Sequence, residues 1–242
     1  MTTIAAAMNF AILPIKGLAQ GKSRLAQFLS EEARRALLQA MFLDVLESLL
    51  RAPSVEGIVV VTSDRFLLDL AHRKGVFTVD EGYPLGLNGA VALGSEFCLR
   101  QGATSLLVLL ADLPLVTAED VDSLFRQVNG GPEVILVPSK DGEGVNALLH
   151  IPPAVTPPCF GGPSLNAHRA AAESRGISCG IVKVPNIAFD IDSVEDLELF
   201  ASQATDTHTY RVMQGLGLFG ARETVNPQRF ASSVAGAHRQ RS

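Results

Sequence analysis

One apolar run that ends in a single carboxylate constrains the fold of this chain more than any other feature. Residues 106–110 are five consecutive aliphatic side chains, followed closely by Asp112 and Pro114. A run that is apolar at every position predicts a strand buried on both faces, as in a parallel sheet covered by helices. Pro114 has no N–H to donate, so Asp112 lies at the strand's carboxyl end, where open α/β sheets bind ligands. The stretch predicts either a metal-phosphate site at Asp112 or a turn in which Asp112 only hydrogen-bonds backbone.

Alternating strand and helix patterns predict an α/β fold with a mixed, mostly parallel sheet. Leu38, Met41, Val45 and Leu49 recur at helical spacing and form the buried stripe of the first long helix. Thr117, with Asp120 three residues later, predicts a capped helix start after the Asp112 strand. Periodicity is lost near residue 205. Residues 1–204 are therefore predicted to form a single domain, and residues 205–242 a flexible C-terminal tail.

Composition excludes several classes of protein. The chain has 242 residues, 47% of them hydrophobic, and a formal net charge of -5, which argues against a general nucleic-acid binder. Its three cysteines are widely spaced and form no Cys-x-x-Cys pair, which is typical of a protein in a reducing compartment and not of a disulfide framework. No apolar run reaches the length of a membrane span, and the first residues lack a convincing signal peptide. These features predict a cytoplasmic protein that uses no membrane or nucleic-acid partner.

A basic loop follows the first predicted strand, residues 10–15. It carries Lys16, Lys22 and Arg24 within nine positions, together with two glycines that allow close approach of the backbone. It is not a Walker loop, because the earlier glycine of that motif is missing at the fixed spacing. A glycine-containing loop directly after strand one favours phosphate binding, with an ordinary basic surface loop as the alternative.

Two further aspartates occur near the end of the predicted domain. In an extended segment Asp190 and Asp192 point to the same face, and two adjacent carboxylates repel unless a cation or proton lies between them. Magnesium, which binds carboxylate, water and phosphate oxygens, is the natural occupant. The alternative is that Asp192 or Ser193 only caps the last helix.

Two glycine-containing segments precede predicted helices. The segment with Gly86 and Asn88 either presents backbone groups and an amide to a purine edge or forms a plain loop. In residues 160–164, the glycines and Ser164 at a helix start suit an anion, unless Ser164 simply caps the helix.

Five short stretches follow one another in a specific order across nearly all of the chain before the tail. They are Pro14-Ile15-Lys16 with Lys22-Ser23-Arg24-Leu25, Gly86-Leu87-Asn88, Ala111-Asp112-Leu113-Pro114-Leu115, Phe160-Gly161 with Ser164, and Asp190-Ile191-Asp192 with Asp196-Leu197. In these five stretches the chain resembles the guanylyltransferases of deazaflavin coenzyme (coenzyme F-420) biosynthesis. That family belongs to the superfamily of molybdopterin-guanylyltransferase-like nucleotidyltransferases. Members of that family join GMP from GTP to 2-phospholactate, phosphoenolpyruvate or 3-phosphoglycerate.

The resemblance implies a three-layer α/β/α fold of the nucleotide-diphospho-sugar-transferase type and a set of site residues. The magnesium ligands would be Asp112, Asp190 and Asp192, which with Lys16 would carry the reaction. The nucleotide would be bound by Lys16, Lys22, Arg24, Gly86 and Asn88. The phospho-acid would be bound by Val145, Gly161 and Ser164. Val145 departs from the family, which usually has Thr at this position, so the identity of the acid is left open.

The predicted function is therefore a Mg²⁺-dependent guanylyltransferase that moves GMP from GTP to a small phosphorylated acid and releases pyrophosphate. The alternatives are a nucleotidyltransferase for another acceptor, such as a molybdopterin or a sugar phosphate, and a degenerate nucleotide-binding regulator. All three candidate metal-binding aspartates are present, which argues against the regulator. The sequence leaves the number of metal ions and the oligomeric state open, a homodimer included.

Overall fold

A seven-stranded sheet forms the centre of the protein, whose computed structural model describes residues 8–18, 22–128, 130–203 and 206–218. The strand order is β3-β2-β1-β4-β6-β5-β7. Only β6 runs antiparallel to its neighbours, β4 and β5, which confirms a mixed, mostly parallel sheet. The strands are β1 (Asn9–Pro14), β2 (Gly57–Thr62), β3 (Phe77–Asp80), β4 (Ser105–Leu109), β5 (Glu133–Pro138), β6 (Val145–Ile151) and β7 (Ser178–Ile181).

Helices cover both faces of this sheet. They are α1 (Glu31–Arg51), α2 (Arg65–Arg73), α3 (Gly86–Arg100), α4 (Ala118–Arg126), α5 (Ser164–Glu173), α6 (Pro185–Ala188), α7 (Val194–Ala201) and α8 (His208–Gly215), and a 3-10 turn spans Ser23–Leu25. None of these helices, within the residues the structure describes, is long and apolar enough to cross a membrane.

The side chains of β4 divide between two hydrophobic cores, as the apolar run predicts. Leu107 and Leu109 pack in the core that contains the buried stripe of α1. Leu106 and Val108 pack on the opposite face, in the core that contains buried residues of α3 and α5. The four side chains are between 0 and 2% exposed. A strand buried on both faces between helices confirms the three-layer α/β/α arrangement.

Side-chain caps fix the starts of two helices near the site. Thr117 caps α4 and forms a reciprocal capping box with Asp120, as predicted from the sequence. Ser193 caps α7 in the same way with Asp196. Of the two residues that the sequence offers as the cap of this helix, Ser193 is the cap, whereas the carboxylate of Asp192 accepts from Lys22 instead.

The strand order opens a crevice at the carboxyl ends of β1 and β4. These two strands are parallel neighbours, and the chain continues from β1 to β2 on one side while β4 is flanked by β6 on the other. Such a switch point is the usual ligand site of an open α/β sheet. Because β6 is antiparallel, its amino end with Val145 lies at the same edge, where Leu110 N–H donates to the Asn146 carbonyl at 3.1 Å.

Helix α8 lies inside the segment predicted to be a flexible tail, and it corrects that prediction over residues 206–218. Asp44 of α1 accepts hydrogen bonds from His208 N–H, Thr209 N–H and the Thr209 hydroxyl, at 2.7, 2.9 and 2.6 Å. Thr209 and Met213 are fully buried. The tail prediction for residues 219–242 lies outside the described residues.

Candidate active site

A cleft of about 820 Å³ lies at the crevice between β1 and β4. It contains most of the side chains that the sequence predicts to be functional. The predicted site residues that line it are Lys16, Lys22, Arg24, Gly86, Asn88, Asp112, Gly161 and Asp192. Three predicted site residues do not line the cleft: Asp190, Val145 and Ser164.

Lys22 lies at the centre of the charged groups in this cleft. Its Nζ is 2.7 Å from Asp112 Oδ2 and 2.7 Å from Asp192 Oδ1, and its side chain is only 5% exposed. Burial lowers the pKa of Lys22, but the two adjacent carboxylates outweigh burial and raise the pKa to about 12. Lys22 is therefore a permanent cation between two carboxylates that come from segments 80 residues apart, a position that its sequence pattern does not predict.

Asp112 follows β4 as predicted, and within the described part of the chain its carboxylate makes no hydrogen bond with the main chain. Oδ2 is paired with Lys22, while Oδ1 is buried and has no hydrogen-bond partner among the described residues. The main-chain carbonyl of Asp112 accepts from Ile191 N–H at 3.3 Å, which joins the end of β4 to the 190–192 segment. A buried carboxylate oxygen without a partner is costly, so Oδ1 of Asp112 is suited to a cation.

Asp190 and Asp192 differ in their electrostatic surroundings. Burial and the nearby Asp112 carboxylate raise the pKa of Asp190, whose Oδ1 accepts a long hydrogen bond of 3.4 Å from Asn146 and lies 3.9 Å from Lys140. Burial also opposes ionisation of Asp192, but Lys22 outweighs it and holds the pKa of Asp192 below its usual range. Asp190 is therefore the carboxylate that another cation would stabilise most.

The turn that carries these two aspartates is held by two side chains, those of Lys140 and Asp196, whose contacts the sequence does not predict. Lys140, in the turn between β5 and β6, donates to the Asp190 carbonyl at 2.8 Å and to the Asp196 carboxylate. Asp196 in turn accepts from the N–H groups of Asp192 and Ser193 at 2.9 and 2.8 Å. Lys140 therefore fixes the main chain on both sides of Asp192.

Asn146 anchors the same turn from the first residues of β6. Its Nδ2 donates to the carbonyls of Ile187 and Ala188 at 2.9 and 3.2 Å. Asn146 is 3% exposed, and a polar amide among the apolar residues at the start of β6 is the local signal by which sequence reasoning could have found this contact.

The three aspartates are the right chemical type for magnesium, because Mg²⁺ prefers carboxylate oxygens. The unpartnered Oδ1 of Asp112 and the raised pKa of Asp190 both fit a cation near these groups. However, Lys22 already donates a hydrogen bond to one carboxylate oxygen of Asp112 and to one of Asp192. No group of three His, Cys, Asp or Glu side chains in the described part of the chain is placed to hold a metal ion. The predicted magnesium site stays a prediction.

The two other predicted phosphate-binding cations are exposed to the cleft. Lys16 follows β1 and is exposed, and the side chain of Arg24 is 79% exposed, with Nη1 4.0 Å from Asp192 Oδ2. Both can therefore approach an anionic ligand without first breaking a short ion pair, unlike Lys22.

Gly86 and Asn88 belong to the first turn of α3. Gly86 has φ +74°, a conformation that favours glycine. The Asn88 amide makes two hydrogen bonds with the main chain of Phe160: Nδ2 donates to its carbonyl at 2.9 Å, and Oδ1 accepts from its N–H at 2.7 Å. In this arrangement Asn88 joins α3 to the segment around Gly161, a contact that the sequence did not predict.

The predicted phospho-acid residues lie around the start of α5. Gly161 lines the cleft with φ +102°, whereas Ser164 is 3% exposed and is the first residue of α5. Pro163 is the N-cap, and no side chain caps this helix, so the alternative in which Ser164 is the cap is wrong. Val145, also 3% exposed, begins β6. Leu165 N–H donates to the Glu143 carbonyl at 2.9 Å and ties α5 to the turn before β6.

Comparison with known proteins shows the family to which the chain belongs. Residues 9–234 match the family described as guanylyl transferase CofC like. The chain belongs to this family. The matched residues include all five stretches on which the sequence resemblance rests.

Curated relatives within this guanylyl transferase family act on different acids. The chain is 37% identical over 206 residues to phosphoenolpyruvate guanylyltransferase of Sphaerobacter thermophilus, covering 84% of this chain and 95% of the relative. It is 34% identical over 212 residues to 3-phospho-D-glycerate guanylyltransferase of Phenylobacterium zucineum, covering 86% and 97%. It is 29% identical over 219 residues to 2-phospho-L-lactate guanylyltransferase of Methanothermobacter thermautotrophicus, covering 90% and 93%.

A solved structure supports the fold assignment. A nucleotide-diphospho-sugar transferase-like protein of Desulfovibrio desulfuricans G20 matches with a TM-score of 0.69 at 14% identity, covering 88% of this chain and 96% of that chain. The family member described here therefore has the nucleotide-diphospho-sugar-transferase-like fold that its sequence predicts.

Proposed function

We propose that this protein transfers GMP from GTP to a small phosphorylated carboxylic acid and releases pyrophosphate. One observation carries the proposal: the cleft of a guanylyl transferase family member holds the buried Lys22 between Asp112 and Asp192, with Asp190 close by. Phosphoryl-type transfer requires positioning and charge neutralisation rather than a covalent nucleophile, and this cluster offers both. The three named acids of the relatives, phosphoenolpyruvate, 3-phosphoglycerate and 2-phospholactate, are the candidate acceptors.

In the proposed reaction an oxygen of the acceptor phosphate attacks the α-phosphorus of GTP. A new phosphorus–oxygen bond forms, and the bond between the α-phosphorus and the bridging oxygen to the β-phosphate breaks. The electron pair leaves with pyrophosphate, so the charge on the leaving group must be neutralised. The exposed cations Lys16 and Arg24, together with Lys22, would bind the triphosphate.

Mg²⁺ would be held by Asp112, Asp190 and Asp192, because Oδ1 of Asp112 is buried without a partner among the described residues and the pKa of Asp190 is raised. The ion would neutralise charge on the triphosphate and on the departing pyrophosphate. In its absence Lys22 already balances part of the carboxylate charge.

The acid would be bound beside the triphosphate by Gly161, Ser164 and Val145. Val145 lacks the hydroxyl of the usual Thr, so only its backbone could contact the acid. The guanine would lie near Gly86 and Asn88 in the first turn of α3, where both residues line the cleft.

The sequence is also compatible with two other functions. Transfer to a molybdopterin or a sugar phosphate has less support, because the curated relatives act on small phospho-acids. A degenerate nucleotide-binding regulator has less support because the candidate carboxylates converge and Lys22 is held in place between two of them.

The test is pyrophosphate release from GTP with Mg²⁺ and each of the three acids in turn. We expect release with at least one acid, none without acid, and a marked preference for GTP over ATP and CTP, since mismatched base edges leave buried polar groups unpaired. Release with sugar phosphates but with none of the three acids would contradict the proposal. Equal turnover with ATP would remove the guanine assignment.

A further inference from the structure

His168 holds both ends of the loop that lines the acceptor side of the cleft, residues 159–164. It lies on α5, and its Nε2 is 3.1 Å from Cys159 N while its Nδ1 is 2.8 Å from the Ser164 carbonyl oxygen. The Cys159 N–H can only donate and the Ser164 carbonyl can only accept. Nδ1 must therefore carry the proton and Nε2 the lone pair, so the two contacts fix a single neutral tautomer.

The ring of His168 also packs inside the loop. His168 is fully buried, and its ring centroid is 4.8 Å from that of Phe160 in an edge-to-face arrangement. The main chain of Phe160 is held from the other side by both polar atoms of the Asn88 amide. Two side chains from different helices therefore determine the path of the loop before any ligand binds.

The central residues of the loop depend on these anchors. Gly161 and Gly162 have φ values of +102° and +56°, which residues other than glycine rarely adopt. Two glycines in sequence are flexible unless their neighbours are fixed. The anchors at Cys159, Phe160 and Ser164 thus restrict a segment that would otherwise have to be ordered by its ligand.

We infer that His168 is a positioning residue for the acceptor: it holds Gly161 and Ser164 in the geometry that binds the phospho-acid, without touching the acid itself. The inference rests on the proposed function, in which this loop binds the acid. A preformed loop lowers the entropy that binding must otherwise lose. Burial of a histidine is costly unless its polar atoms are used, and His168 uses both on this loop. Burial lowers the pKa of His168, in keeping with the neutral ring that the contacts require.

A second buried histidine provides a matched control. His150 of β6 is 3% exposed, and its Nε2 is 2.9 Å from the Thr156 hydroxyl, upstream of the loop. It has no hydrogen bond with residues 159–164. His150→Phe and His168→Phe both replace a buried imidazole by a ring, but only His168→Phe removes anchors from the loop.

The experiment measures KM for the acid, KM for GTP, kcat and the unfolding midpoint in both variants, with each of the three phospho-acids as probe. His168→Phe is expected to raise KM for the acid roughly ten- to a hundredfold, as typical for lost supporting contacts, with KM for GTP within about threefold of wild type. His168→Gln, whose amide can both donate and accept, should recover part of the effect. His150→Phe should lower the unfolding midpoint and leave both KM values unchanged.

Three outcomes would overturn the inference while leaving the proposed function intact. They are an unchanged KM for the acid in His168→Phe, equal rises for acid and GTP, and the same change in His150→Phe. If His168→Phe does not fold, His168→Asn, which is too short to span both anchors, takes its place with the same expectation. Wild-type protein that turns over none of the acids would overturn the proposed function and this inference together.

Discussion

At the scale of single residues, Lys22 determines the charge balance of the site. Its backbone has φ +55°, which costs a residue with a side chain about 1 kcal/mol. Two ion pairs of 2.7 Å with Asp112 and Asp192 hold this conformation. The strain is therefore local and is compensated by contacts within the site itself.

Asp112→Asn and Asp192→Asn are expected to fold and to lose about a hundredfold or more of kcat. Each change preserves shape and removes one of the negative charges proposed to hold the Mg²⁺ that would neutralise the departing pyrophosphate. Steady-state pyrophosphate release measures the loss, and circular dichroism checks the fold. Asp69→Asn, at an exposed position on α2, serves as the control and should behave as wild type. Full activity in Asp192→Asn would remove the aspartate from the mechanism, and unfolding would make it a structural partner of Lys22.

The sequence could predict which residues carry charge at the site, but not how they pair. Asp112 was recognisable because an apolar strand ends just before it, and Asp190 and Asp192 because they alternate in an extended segment. The contacts of Lys22 with Asp192 and of Lys140 with Asp196 join positions 170 and 56 residues apart. Such contacts depend on the packing of the whole chain, and no local pattern specifies them.

At the scale of elements, α8 belongs to the folded unit. Asp44→Ala is expected to destabilise the protein by roughly 1–3 kcal/mol, because it leaves the N–H groups of His208 and Thr209 without their acceptor. Urea unfolding measures the change. Asp206→Ala, whose side chain is 93% exposed in its pair with Arg211, is the control and should be nearly neutral. Equal stability of both variants would mean that α8 does not stabilise the domain.

The sequence could not predict α8 because its buried face is very small. Within the helix only Thr209 and Met213 are buried, too few for a periodic signal. Helix α1 was predictable for the opposite reason, since ten of its residues are buried. The start of α4 was predictable because a capping box involves only Thr117 and Asp120, which are neighbours in the sequence.

At the scale of the whole molecule, two buried histidines make stability depend on pH. Burial, and secondarily His168, lower the pKa of His150 to about 4, and burial lowers that of His168. Both folded-state values lie below the unfolded value near 6.5, so the unfolded chain binds more protons. The contribution of these two histidines to the free energy of unfolding is therefore fully present above about pH 6.5 and is lost as the pH falls towards 4. His150 alone contributes roughly 3 kcal/mol.

Urea unfolding of wild type and His150→Gln between pH 7 and pH 4.5 tests this dependence. The Thr156 hydroxyl lies 2.9 Å from His150 Nε2, and the nearby His168 adds to burial in lowering the pKa of His150. The variant should lose less stability on acidification than wild type, while His72→Gln, at an exposed position on α2, should not differ from it. Parallel curves for wild type and His150→Gln would contradict the assignment.

The layered architecture was predictable at this scale, and the strand order was not. Apolar runs alternating with helical patterns are sufficient to predict a mostly parallel sheet with helices on both faces. The insertion of antiparallel β6 between β4 and β5 depends on pairings that no short segment encodes. That insertion brings Val145 and Asn146 to the edge where Asp112 lies.

The most direct test of the proposed GMP transfer follows the α-phosphorus of GTP. GTP labelled at that atom is incubated with Mg²⁺, the protein and each of phosphoenolpyruvate, 3-phosphoglycerate and 2-phospholactate, and the products are separated and weighed by mass spectrometry. If GMP is transferred as proposed, the label enters a phosphatase-resistant product with the mass of GTP plus acid minus pyrophosphate, and one pyrophosphate is released per product. Label that remains in GTP, or is recovered only as GMP, with all three acids would contradict it.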